Sequence, residues 1–225
     1  HTTKAASAVI TASYGPVVQS VTVTVADGRF WYSLGNGLGN GQDNNWYLDG
    51  NGASVVSSDG KKTIVQMGSG YRGDLWLARS GKGKVVNVTP ADYRYFAIKV
   101  GFKSQLVPGK NKPNGCIKLE IFDDGIKKIG PEYFGTGGDA NNRYEILGAS
   151  EISTTEPNVL YYDLQSKYKT VTPTDWNQVF DLAQCKFVIA DFPETAQTYD
   201  LYWIRSFKSI EELQAFVDSE NNTNE

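Results

Sequence analysis

The sequence predicts an all-β fold: an antiparallel sandwich or barrel carrying one short C-terminal helix. Three observations predict it. Short runs alternate apolar and polar residues at period two, glycine-rich turns separate them, and helical spacing of apolar residues is concentrated near the end of the chain.

The runs follow one another along the chain. Val21, Val23 and Val25 alternate with Thr22 and Thr24. Leu75 and Leu77 alternate with Asp74, Trp76 and Ala78. Phe96, Ile98 and Val100 alternate with Tyr95, Ala97 and Lys99, and Ile117, Leu119 and Ile121 with Lys118, Glu120 and Phe122. Later strands are expected over Val159–Leu164, Cys185–Asp191 and Tyr199–Phe207. Turns fall at Gly35–Gly41, Gly50–Gly52, Gly68–Gly73, Gly81–Gly83 and Gly135–Gly138. Ser209 is placed to cap a helix in which Ile210, Leu213, Phe216 and Val217 form one apolar stripe. Thr174–Asp181 is compatible with a further helical turn.

A composition shift near Ala26–Asp27 suggests three parts. Residues 1–26 are rich in Ser, Thr, Ala and Val around the turn Tyr14-Gly15-Pro16, and read as closing strands of a spacer or a linker. Residues 27–217 form the main domain, and the polar stretch 218–225 is expected to fray. A chain of 225 residues is long enough to bury a core.

Charge and rare residues exclude several classes. The net charge of −3 and a sequence pI near 5.3 argue against a nucleic-acid partner. The single histidine is His1, which disfavours Ser–His or Cys–His catalysis and a histidine-ligated metal. Two cysteines, Cys116 and Cys185, exclude a four-cysteine zinc site. Their strand parity differs, Cys185 facing the core and Cys116 away from it, so a bond between them is not expected. The only Met is Met67, and the chain reads as a fragment or mature form whose Asn-, Gly-, Thr- and Tyr-rich composition suits export. No apolar run approaches the roughly 20 residues of a membrane helix.

Aromatic content points to the site. The 13 Tyr and 5 Trp outweigh the 10 Phe, which favours rings with a polar handle. If Leu75 and Leu77 face the core, Arg72, Asp74 and Trp76 share the opposite face. Tyr93, Tyr95 and Lys99 lie opposite their own apolar set, as do Lys118, Glu120 and Phe122. A face of Trp, Tyr, Arg, Asp and Glu suits a hydroxylated neutral ligand, with rings stacking on sugars and charged groups bonding hydroxyls. A second packed layer, or aromatic–charge pairs on a solvated sheet, would show the same pattern. Trp31 and Trp46 sit in or beside Gly/Asn loops, where binding groups concentrate, although a loop ring can also fold back over a sheet edge. The candidate ligand-binding set is therefore Trp31, Trp46, Arg72, Asp74, Trp76, Tyr95 and Glu120, with Trp31, Trp46 and Trp76 stacking and the others bonding hydroxyls.

No cofactor is expected. Asp43-Asn44-Asn45, Asp123-Asp124-Gly125 and Asp139–Asn142 read first as turns and leave a structural calcium open. Glutamates suitable for glycoside hydrolysis are present, including Glu120, Glu132, Glu145 and Glu151, but no Glu-x-Asp-x-x-Glu strand motif of laminarinase-like sandwiches occurs. A non-catalytic protein is expected.

Two stretches carry a family resemblance. Residues 1–26, with Val9-Ile10-Thr11-Ala12 and Val21-Thr22-Val23-Thr24-Val25, resemble the closing hairpin of a PKD-type, Ig-like spacer domain. The segments Tyr71–Leu75, Tyr95–Lys99, Leu160–Leu164 and above all Tyr199–Leu213 resemble a family of Bacteroidetes surface glycan-binding proteins, in which a PKD-like domain precedes a sandwich. The resemblance implies a jelly roll like that of carbohydrate-binding modules. It implies an outward-facing outer-membrane lipoprotein, held by a lipid anchor outside this sequence. It further implies capture of a polysaccharide, with xylan or another β-linked plant glycan the first expectation, for a SusC/SusD-like uptake complex. A glycoside hydrolase or lyase on the same fold, and a protein-binding adhesion module, are the alternatives. Trp203 and Arg205 belong to the recurring terminal motif and are read as structural.

Overall fold

The computed structural model describes residues 6–25, 29–39, 45–49, 52–68, 73–79, 82–83, 86–88, 91–103, 116–123, 132–136, 144–165, 180–190 and 198–222. The first two strands, β1 (Ala6–Tyr14) and β2 (Val17–Val25), form a hairpin. Gly15 opens its two-residue turn at φ 57°, a conformation L side chains rarely adopt. The pair makes a sheet of its own, and Val9, Ile10, Val17, Val18 and Val21 stay exposed on it.

The remaining strands form two sheets. The first contains β3 (Trp31–Ser33), β5 (Ser54–Ser58), β6 (Thr63–Gln66), β10 (Tyr95–Phe102), β13 (Glu145–Ile146), β14 (Asn158–Asp163) and β16 (Thr198–Phe207). Its order is β13-β14-β10-β16-β6-β5, with β3 also pairing with β16. The second contains β4 (Tyr47–Asp49), β7 (Asp74–Arg79), β8 (Lys82–Gly83), β9 (Val86–Val88), β11 (Cys116–Asp123), β12 (Glu132–Thr136) and β15 (Phe180–Ala190). Its order is β12-β11-β15-β7-β4, with β8 on β7 and β9 on β15. All strand pairings among the described residues are antiparallel.

Eight strands carry the topology. They run β6-β16-β10-β14 in one sheet and β7-β15-β11-β12 in the other. Taken along the chain, they alternate between the sheets except at the step from β11 to β12. That is the strand order of a jelly roll. The expected Val159–Leu164, Cys185–Asp191 and Tyr199–Phe207 strands correspond to β14, β15 and β16 within a residue or a few at each end. The turn suggested at Thr174–Asp181 lies mostly outside the described residues, and its last two residues, Phe180 and Asp181, are strand paired with β9.

Alternation fills the core. Leu75, Leu77, Phe96, Ile98, Val100, Leu119, Leu160, Tyr162, Phe187, Ile189 and Ile204 pack together between the sheets. Gly35 is required by a close approach: a Cβ there would overlap the carbonyl of Gly60, whose own N–H donates to the Gly35 carbonyl at 3.0 Å.

One bulge redirects the last strand. The β10–β16 register slips between Lys99 and Val100, leaving Tyr202 as the extra residue. Before it, Tyr199 and Leu201 enter the core, and beyond it Ile204 does. Trp203 and Phe207 turn to the outer face, where they meet Ala97, Val159 and Leu213 of the helix α1 (Ile210–Asn222). Ser209 caps α1, its Oγ accepting from the Glu212 N–H at 3.2 Å, while Glu212 accepts from the Lys208 N–H at 2.7 Å. The helix runs past Val217 to Asn222, into the stretch expected to fray. The reason is Glu220, which accepts from Trp203 Nε1 at 3.0 Å and Lys99 Nζ at 3.1 Å and so ties the last turn to the sheet.

Candidate functional site

The register of the second sheet sets five positions in one cross-strand row. Tyr47 of β4 lies opposite Trp76 of β7, Trp76 opposite Lys186 of β15, Lys186 opposite Glu120 of β11, and Glu120 opposite Tyr133 of β12. Five strands at 4.7–4.9 Å spacing make the row about 19 Å long. Parity produces it. Leu75, Leu77, Leu119, Cys185 and Phe187 take the core side, and Trp76 and Lys186 alternate with them along their strands. Lys186 Nζ lies 4.6 Å from the centre of the Trp76 ring, a cation–π contact. Asp74 sits two residues along the same strand, opposite Asp49.

Three residues of the expected set, Asp74, Trp76 and Glu120, therefore come together on one sheet. The face is less open than alternation alone suggests. Trp76 is only 9% exposed and Asp74 is buried, because neighbouring strands flank Trp76 on both sides and Lys186 lies over its ring.

Of the other four, Trp46, Tyr95 and Trp31 do not join them. Trp46 corrects the loop reading. It is 0% exposed, edge-on to Tyr32 at 6.0 Å and against Phe187 at 5.7 Å. It shares parity with Leu48, which packs on the core, so alternation extends one residue earlier than β4 itself. Tyr95 lies on β10, in the first sheet, edge-on to Tyr161 at 6.1 Å and under the Arg94 guanidinium at 5.3 Å. Trp31 belongs to β3, also in the first sheet, opposite Arg205. Its ring meets Phe207 and Phe216 edge-on at 5.8 and 5.3 Å. Arg72 lies outside the described residues.

Sequence reasoning missed Lys186 and Tyr133. Lys186 was legible, since it stands between the core residues Cys185 and Phe187. Its position between Trp76 and Glu120 is a matter of register, which no local pattern records.

The electrostatics are those of a closed core with satisfied ion pairs at its margin. Arg94 holds Asp163 with two hydrogen bonds of 2.6 Å, which raises the guanidinium pKa. Burial, and then the Asp74 charge, push the Tyr199 phenol well above its usual range, and its hydroxyl donates to the Gly73 carbonyl at 2.7 Å. Burial also pushes the Cys185 thiol up. Cys185 is free: it lies opposite Ile121, while Cys116 lies opposite Ala190, five residues along the ladder and beyond disulfide reach. Among the described residues no three His, Cys, Asp or Glu side chains gather as a metal site would require. Of the calcium candidates, Asp43-Asn44, Asp124-Gly125 and 139–142 lie outside the described residues. Among the described residues no helix is long and apolar enough to cross a membrane.

A family described as a domain of unknown function (DUF4979) matches residues 34–213. The chain belongs to the DUF4979 family. The match covers both sandwich sheets from Leu34 onward and the first turn of α1, so the row on the second sheet falls wholly inside the family domain, whereas Trp31 and the β1–β2 hairpin precede it. No curated protein matches the chain.

Proposed function

We propose that this DUF4979 chain binds a polysaccharide without cleaving it, xylan or another β-linked plant glycan being the first candidate. The observation that carries the reading is the register of the second sheet, which sets Tyr47, Trp76, Lys186, Glu120 and Tyr133 in one row. The nearly covered indole of Trp76 anchors the row, while the ammonium over it and the carboxylate position one strand further on are the groups that bond the hydroxyls of a sugar chain. A linear row across five strands suits a linear ligand. Each sugar gains few contacts on such a face, so affinity per site is weak and depends on several sites acting together.

Location and partner follow from the resemblance carried by Tyr199–Leu213: an outward-facing lipoprotein of a Bacteroidetes outer membrane, delivering glycan to a SusC/SusD-like complex. Affinity electrophoresis through gels containing xylan, glucan, mannan or pectin tests the reading, with reducing ends assayed in parallel. Retardation by a glycan without sugar release supports it. Release of sugars that a single Glu substitution abolishes would establish a hydrolase instead, and absence of retardation in every gel would favour a protein-binding module.

A further inference from the structure

A second grouping of rings and cations lies on the first sheet, beside α1 and away from the row described above. Arg29 Cζ is 3.8 Å and Arg205 Cζ 4.3 Å from the centre of the Trp31 ring. Arg205 is also 4.4 Å from the Phe216 ring and 5.4 Å from Trp203. Lys208 Nζ stands 5.6 Å from the Tyr93 ring, which Arg29 approaches at 6.0 Å. The side chains of Arg29 and Arg205 are each 12% exposed, whereas Trp31 is 37% exposed. An accessible indole thus lies over two nearly covered guanidinium groups.

The helix does not need this charge to stay in place. Leu213, Phe207, Trp203, Phe216 and Val217 pack it onto the sheet, and Glu220 fixes its end through Trp203 and Lys99. Arg205 in particular is loosely held. Its polar contacts are 3.5 Å to Ser33 Oγ and 3.9 Å to Glu220, and its Nε is buried with no hydrogen-bond partner among the described residues. Arg94, elsewhere on the same sheet, shows what a satisfied fork looks like, with Asp163 at 2.6 Å on two nitrogens. Burial first, with Arg29 adding to it and Glu220 opposing, lowers the Arg205 pKa, so its positive charge is held at a cost that a further anion would relieve.

We propose that Trp31, Arg205, Arg29 and Lys208 form a second glycan site that takes an acidic sugar, the uronate ring meeting the exposed part of Trp31 and its carboxylate pairing with the guanidinium groups stacked on that indole. The inference rests on the reading that the chain binds glycans, and adds to it a substrate class: a β-linked chain bearing uronic acids. The guanidinium fork matches a carboxylate in a way a hydroxyl cannot.

Affinity electrophoresis with glucuronoxylan, and with the same polymer after chemical reduction of its carboxyl groups, separates the two claims. The expected result is about ten-fold weaker retention by the reduced polymer, a difference that shrinks with added salt. Arg205→Gln and, separately, Trp31→Ala should remove the preference for the acidic polymer. Trp31→Ala acts at an accessible ring of an edge strand, so it answers the question if Arg205→Gln fails to fold, and near-ultraviolet circular dichroism reports folding of both. Equal retention of the two polymers by the unaltered protein would overturn the acidic site while leaving glycan binding intact. So would a preference that survives in folded Trp31→Ala. Retention of neither polymer would overturn the acidic site and xylan as the glycan, and absence of retardation in the glucan, mannan and pectin gels as well would overturn the glycan-binding reading.

Discussion

The two outer faces of this sandwich are built differently. The first sheet is covered: α1 lies on Trp203, Phe207, Ala97 and Val159, and rings and arginines fill the flank as far as Trp31. The second sheet carries no described helix, and its outer face is organised by register into one row from Tyr47 to Tyr133. Aromatic residues serve both, yet for different ends. On the covered face they meet one another edge-on at 5.3–6.2 Å and hold a helix. On the row, Trp76 meets a lysine and sits beside a carboxylate position. Aromatic richness by itself therefore says little about function, whereas the partner of each ring says much.

The largest effect should come from breaking the covered face. Phe207 is fully buried between β16, Trp31 and Phe216. Phe207→Ala should cost about 3–5 kcal/mol in urea unfolding, while the protein that remains folded keeps its retention in a neutral-glycan gel. A loss below about 1 kcal/mol would show that α1 contributes little to the fold.

The next effect concerns the core that both faces share. Burial, and secondarily Cys185, push the Tyr32 phenol up to about 12, and burial raises Tyr199 further. The folded state holds protons that the unfolded chain gives up near pH 10. The stabilisation is therefore complete below about pH 10 and is lost as pH rises through that value toward the folded one. Tyr32 alone accounts for about 3 kcal/mol of this. Denaturation midpoints measured against pH, with tyrosinate absorbance followed in parallel, should fall steeply on the alkaline side, and Tyr32→Phe should fall less. Tyrosines that all ionise near pH 10 in a protein still folded would refute the burial of these hydroxyls.

Much of the architecture was legible because alternation is a local property. Leu75 and Leu77, Phe96 and Ile98, and Phe187 and Ile189 all announce a core side, and Ser209 with Glu212 announces a helix start. What was not legible is non-local. Parity assigns Tyr95 and Trp76 to outer faces but cannot say that β7 and β10 belong to different sheets, which is why one expected face became two. The bulge at Tyr202 places Trp203 and Phe207 under α1 against strict alternation. The last turn of α1 depends on Glu220 reaching Trp203 and Lys99, 17 and 121 residues away in sequence. Trp46 is the one error that local pattern could have prevented, since it shares parity with Leu48.

The change most informative in function is on the row, where only variants that still fold are informative because Trp76 is buried. Trp76→Ala and Glu120→Ala, each confirmed folded by circular dichroism, should be compared with the unaltered protein in the glycan gel that retards it most. Glycan binding at the second sheet predicts about ten-fold weaker retention for Trp76→Ala and a smaller loss for Glu120→Ala. Undiminished retention in both folded variants would contradict it.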